Sequence, residues 1–185
     1  MKIVINDLCE INTGVYEKPT VGGMVYYIQS RDFNGYLEFN DDIVPELQES
    51  PKFKKHYLQK GNILIAAKGG NYFAVVYNGE VYPAVASSTF IILRELNQAI
   101  VSPGFLAWFI NHPKTQLYFS THAKGSNIPY ISKNLISELE INIPSLDKQK
   151  RILEIHQLRI KERQLIEKIE SLKEITINEK LIQYT

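Results

Sequence analysis

Lysine, asparagine or serine recur with tyrosine and glycine in three stretches of this sequence, at residues 15–23, 68–72 and 124–130. Lysine ammonium groups suit phosphate oxygens, an asparagine amide can pair bidentately with adenine, and a tyrosine ring offers a stacking face or a hydroxyl donor. Glycine lets a backbone approach a groove closely. The candidate contact residues are therefore Lys68, Asn71, Tyr72, Lys124, Asn127 and Tyr130, with Tyr16 and Lys18 as weaker members. Residue types alone favour ordinary polar loops. The charge distribution bears on the choice. The net charge is only +1, yet residues 50–79 hold five lysines and no acid, and residues 96–137 hold three lysines, two histidines and no acid. Such tracts supply the local positive potential that a polyphosphate backbone requires, and they also arise on solvated surfaces.

Catalytic chemistry finds no support. The four histidines (56, 112, 122 and 156) lack metal-ligand spacing, and Cys9 has no cysteine partner. No nucleophile elbow, Walker A loop or dinucleotide-binding glycine motif opens a helix after a strand. Lys68-Gly69-Gly70 follows a strand but leads into another, so it reads as a hairpin turn. Asn127-Ile128-Pro129-Tyr130 superficially resembles the Asn-Pro-Pro-Tyr motif of amino-group DNA methyltransferases, but its first proline is missing. Asp41 and Asp42 with Glu46 and Glu49 read as a solvated acidic loop rather than a metal site. The expectation is a protein without catalysis, cofactor or metal.

Something must position those loops. A chain of 185 residues with 44% hydrophobic content makes one domain plus an appendage, or a single domain of moderate size. No apolar run approaches membrane-spanning length, and the N-terminal residues lack the apolar core of a signal peptide. A lone thiol fits a reducing compartment, so the cytoplasm is expected. Strands are predicted at residues 2–5, 24–29, 63–67 and 73–77, with 81–82, 84–86 and 90–93 continuing the sheet. A turn is expected at Asn12-Thr13-Gly14, a half-exposed strand at 36–39, and a hairpin at Asn78-Gly79. Short helices are predicted after Ser50-Pro51, at 103–110, at 115–122 and, capped by Ser132, at 133–139. A final strand at 140–143 precedes Pro144.

From Ser145 onward there is neither proline nor glycine. Ser145 suits an N-cap and Asp147 the positive end of a helix dipole. Ile152, Ile155, Leu158, Leu165, Ile169 and Leu172 share one stripe, interrupted where Glu162 takes an apolar slot. Such a seam buries itself either against its own domain or against a partner helix.

Several motifs carry a resemblance that joins these parts. They are Leu8-x-x-Ile11-x-x-Gly14, Val25-x-Tyr27-Ile28 and Leu58-x-x-Gly61-Asn62-Ile63-Leu64-Ile65. Phe105-Leu106-x-Trp108-Phe109 and Gly125-x-x-Ile128-x-x-Ile131 with Leu135 follow. The most specific is Ile141-x-Ile143-Pro144-x-Leu146-x-x-Gln149-x-x-Ile152. Together they resemble the target-recognition half of type I restriction–modification specificity subunits. Gly61-Asn62 stands where the family usually has Gly-Asp, and Lys148 where it has Glu. The resemblance implies a mixed α/β (α+β) target-recognition domain over residues 1–143, with a mixed sheet and short helices. A long helix of coiled-coil type follows over 144–185. It implies a non-catalytic subunit that reads double-stranded DNA and holds a methyltransferase (M) subunit and, through it, a restriction (R) subunit. Family members typically carry two recognition domains and two helical regions; this chain has one of each. Two copies packing their helices antiparallel would form a two-fold homodimer that reads a palindrome. A reading of a different class is a non-catalytic interaction module whose C-terminal helix docks a partner helix.

Overall fold

The structure is a computed structural model that describes residues 2–182. The chain divides into two compact units, Met1–Gln149 and Lys150–Thr185. The first turn of the terminal helix thus falls within the globular unit rather than being left behind at Pro144.

The globular unit is built on a four-stranded antiparallel sheet in the order β2 (Glu10–Thr13), β7 (Phe90–Arg94), β4 (Ile63–Ala66), β5 (Ala74–Val76). All four residues of β4 are buried. That is why its sequence, Ile-Leu-Ile-Ala, is apolar throughout instead of alternating. One face carries Leu64, Ala66, Phe90, Ile92, Val75 and Tyr77, packed with Ile28, Leu58, Ala84 and Ala86. The opposite face is set by alternation: Ile63, Ile65, Ile91 and Leu93 are buried too. Helix α1 (Pro103–Asn111) packs on β5. Ser102 caps it, its hydroxyl accepting from the Phe105 N–H at 3.3 Å, with Pro103 in the first turn. The Asn111 amide then clamps the open side of β5, accepting from the Ala74 N–H (2.8 Å) and donating to the Ala74 carbonyl (2.7 Å).

A second pair, β3 (Tyr26–Ile28) and β6 (Ala84–Ala86), runs parallel. A third, β1 (Lys2–Val4) and β8 (Glu140–Asn142), runs antiparallel and is bordered by a Lys2–Glu140 ion pair. Helices α2 (Pro113–His122) and α3 (Lys133–Ser137) complete the unit. As expected, the Ser132 hydroxyl caps α3 by accepting from the Leu135 N–H at 3.2 Å.

Five local expectations fail, one of them the strand at 81–82, which is a bend ahead of β6. Residues 12–14 do not turn. Thr13 pairs with Ile91, and Gly14 continues the ladder, its N–H donating to the Phe90 carbonyl at 3.0 Å. A Cβ on Gly14 would lie 2.0 Å from the Ser87 oxygen, so this glycine serves close approach. Residues 36–39 form no strand, because Leu37 has φ 63°; only Phe39 bridges back to Phe33, their rings stacked at 4.6 Å. Gly79 has the positive φ expected of it, but no hairpin follows, since β6 pairs with β3 instead of β5. The helix after Ser50 is a single 3-10 turn, Pro51–Phe53, without a side-chain cap.

The described residues of the second unit, 150–182, lie within α4 (Leu146–Ile182), a 37-residue helix about 55 Å long. Ile155, Leu158, Leu165, Ile169 and Leu172 are each at least 50% exposed. Among the described residues no helix is long and apolar enough to cross a membrane.

Candidate nucleic-acid interface

The antiparallel registers Thr13↔Ile91, Ala66↔Phe90 and Ile65↔Ala74 bring the C-terminal ends of β2 and β4 and the N-terminal ends of β5 and β7 to one end of the sheet. The loop leaving β2, the β4–β5 connection and the 87–89 turn therefore start from one place. The 124–130 loop is fastened there as well. Lys124 and Tyr130 exchange backbone hydrogen bonds (2.9 and 2.8 Å), the Gly69 N–H donates to Pro129 (2.9 Å) and the Ile131 N–H donates to Ala67 (2.9 Å). Two loops more than 50 residues apart in sequence become one surface.

Lys68, Asn71, Lys124, Asn127 and Tyr130 are brought together on this surface, all exposed. Among the described residues neither lysine is held in an ion pair, and neither asparagine amide has an internal hydrogen-bond partner. Their polar groups are uncommitted.

Tyr72 must be removed from the candidate set. It is 5% exposed, its ring meets Phe119 edge-on, and burial pushes its phenol pKa up. Its hydroxyl has no partner among the described residues, yet a buried ring offers no stacking face. Tyr72 anchors the loop rather than presenting it. Tyr16 and Lys18 are exposed on the loop leaving β2. That loop is tied elsewhere: the Tyr27 hydroxyl donates to the Val15 carbonyl and accepts from the Glu17 N–H, and Lys52 pairs with Glu17. No hydrogen bond between described residues links it to the other two loops, so Tyr16 and Lys18 share the sheet end but not the fastened cluster.

Two features escaped the sequence reading. Ile128, at the tip of the 124–130 loop, is 66% exposed. His122, just before that loop, lies against the Tyr118 ring at 4.3 Å. Ile128 could have been found as the one aliphatic residue in a polar loop.

The backbone shape depends on glycine. Gly69, Gly70 and Gly125 have φ of 95°, 80° and 93°. A Cβ on Gly125 would lie 2.6 Å from the Ile128 carbonyl oxygen. Gly125→Ala therefore opens the loop while sparing the core. Hydrogen exchange at the Lys124 and Tyr130 amides should accelerate at least tenfold, since the left-handed conformation alone costs about 1–2 kcal/mol for an L-residue. Unchanged protection at both amides would contradict this.

Burial pushes the Cys9 thiol up to about 12, too high for a nucleophile at neutral pH. Glu46 in the acidic stretch is paired with Arg31 at 2.8 Å, and no group of three described His, Cys, Asp or Glu residues is arranged to hold a metal ion.

The fold is similar to that of solved S subunits of type I restriction–modification systems. The chain is similar to the S subunit from M. genitalium, with a TM-score of 0.59 and 17% identity over 85% of this chain and 38% of that one. The HsdS subunit from Thermoanaerobacter tengcongensis gives 0.60 and 16%, over 89% and 43%. A chain from a structure describing complex assembly and conformational transition of the type I system gives 0.64 and 18%, over 89% and 39%. The chain belongs to the type I restriction modification DNA specificity domain family, whose model matches residues 1–176. It is 28% identical over 115 residues to the type I restriction enzyme HindI specificity subunit of Haemophilus influenzae, covering 60% of this chain and 25% of that subunit. It thus spans about a quarter of that relative and about two fifths of the solved chains.

Proposed function

We propose that this chain reads a DNA half-site through the fastened loops 67–73 and 124–130, and pairs with a second copy through the apolar seam of α4. In this reading it docks a methyltransferase subunit and, through it, a restriction subunit, and performs no turnover itself. It acts in the cytoplasm, where the DNA is. One observation carries the DNA-reading part. Lys68, Lys124, Asn71 and Asn127 converge with uncommitted polar groups on one surface, in a chain of a DNA specificity family. Lysines positioned this way supply phosphate contacts, and a free amide supplies base-edge pairing.

The first test is selection of randomised duplexes by the chain at low salt, repeated with its methyltransferase partner. Two inverted half-sites at fixed spacing support a two-fold reader. Failure to enrich any sequence in either case would refute the reading. The Lys68→Ala/Lys124→Ala double variant should bind at least tenfold more weakly at low salt. It should also flatten the dependence of log affinity on log salt by about 2, roughly one per lost phosphate contact. An unchanged slope would remove both lysines from the interface.

The exposed seam of α4 favours a second reading, an interaction module that docks a partner helix and leaves DNA alone. Salt separates the two. Apolar docking responds little to ionic strength, whereas phosphate contacts respond steeply.

A further inference from the structure

We infer that Ile128 is a specificity-determining contact that reads the C5-methyl group of a thymine, an inference that rests on the proposed DNA reading. Ile128 is 66% exposed, and the loop on either side of it is fixed. Lys124 and Tyr130 close the loop with a pair of backbone hydrogen bonds. Pro129, next to Ile128, accepts from Gly69, and its ring lies where a Cβ on Gly70 would be 3.3 Å away. On the other flank, Gly125 adopts φ 93° and lies close beneath the Ile128 carbonyl. The tip is thus an exposed aliphatic side chain on a fastened backbone, between Asn127 and Pro129, and the two joined loops carry Lys68 and Lys124, neither ion-paired among the described residues.

An aliphatic side chain gains by meeting an apolar surface, and it makes no hydrogen bond to a base edge. Among the groups displayed in the grooves of B-DNA, the thymine methyl is the apolar one, and it lies in the major groove. The lysines on either loop would hold the phosphates while Ile128 meets the methyl, and Asn127 beside it would present its amide to the adjoining base edge. Order matters here. A backbone already fastened in the free protein loses little conformational freedom on contact, so the gain from burying one methyl group is not spent on ordering the loop.

The test starts from the duplex recovered by the full chain together with its methyltransferase partner. Each thymine of that duplex is replaced singly by uracil, which removes the methyl group and keeps the pairing. At one position the wild type should lose about fourfold in affinity, the equivalent of one buried methyl. Ile128→Ser should bind the thymine duplex more weakly and be indifferent to uracil at that position, while Ile128→Val should retain the preference. The inference falls if Ile128→Ser keeps the wild-type uracil sensitivity at every position, or if the recovered target contains no thymine. Brightening of 2-aminopurine at a base step, without methyl dependence, would instead assign Ile128 to a wedge between bases. Lost capture of the methyltransferase by Ile128→Ser without DNA would assign it to protein docking; either result overturns methyl reading. Salt-dependent, sequence-selective binding that Ile128→Ser leaves unaltered would sink this inference alone. Absence of any DNA binding would sink the proposed function with it.

Discussion

Replacing Gln149 with leucine should destabilise the globular unit by about 3–5 kcal/mol, the largest stability effect expected of any polar side chain in it. Gln149 is fully buried. Its amide oxygen accepts from the Ser102 N–H at 2.8 Å, and its amide nitrogen donates to the carbonyls of Ile100 (2.8 Å) and Pro144 (2.9 Å). Both side-chain donors are used, and three backbone groups depend on one residue. Leucine fills the space and leaves all three without a partner, at about 1–3 kcal/mol for each that water cannot reach. The urea midpoint, followed by Trp108 fluorescence, should fall by about 1.5–2.5 M at an unchanged slope, taking a slope of about 2 kcal/mol/M. A fall corresponding to less than about 1 kcal/mol would mean that water replaces the amide. Gln149→Glu makes the stability of the unit depend on pH. A carboxylate there faces two carbonyls, so its folded-state pKa rises above the unfolded value, and the protonated acid regains one donor. Stability of that variant should be greatest below the unfolded pKa and should be lost as pH rises through the folded one.

Leu165→Glu with Ile169→Glu should convert the proposed two-fold dimer into monomers of 21.3 kDa at micromolar concentration, as read by light scattering. Both residues are about half exposed in the chain and lie four apart on one stripe of α4. In an isologous interface each substitution appears twice, so four carboxylates enter a surface that was apolar. Each buried unpaired charge costs several kcal/mol, which together exceeds the roughly 8–12 kcal/mol of a micromolar to nanomolar dimer. Glu162→Leu runs the other way: it fills the interrupted slot of the seam and should tighten association. A wild-type chain that stays monomeric, or a double variant with the wild-type mass, would refute pairing through this seam. The globular unit should keep its own unfolding midpoint in the double variant.

How much of this was readable beforehand depends on whether a signal is local. The helix over α1, the cap of α3 by Ser132, the fully buried run of β4 and the uninterrupted course of α4 rest on neighbouring residues, and each was legible. The β3–β6 pairing was not, because Asn78-Gly79 specifies a bend but not which strand the chain meets after it. Gly14 was misread for a related reason: glycine marks a turn and a close backbone approach alike, and only the Ser87 carbonyl decides between them. At the candidate interface, composition identified the exposed residues of both loops but could not show that Gly69 and Pro129 fasten them together. Tyr72 failed because the start of β5 is covered on both sides. Phe119 takes Tyr72 on one side, while Phe33 and Phe90 take Phe73 on the other, so neither aromatic is left for a ligand. Gln149 stood out within its motif, whereas its three backbone partners came from parts of the chain that the motif does not mention.

The β1–β8 pair has a consequence for the order of events on the ribosome. Its partners are roughly 140 residues apart, so β1 waits through the synthesis of every other strand before Ile141 arrives to pair with Ile3. Until then β1 is an unpaired edge, open to mispairing with another nascent chain. The partner strand ends only a few residues before α4 begins, and Gln149, which locks the 100–102 segment, follows within the first turn of that helix. Synthesis therefore supplies the last pieces of the globular unit immediately before the seam. A nascent chain can close its proposed reading surface before it exposes the stripe through which it would find a second copy.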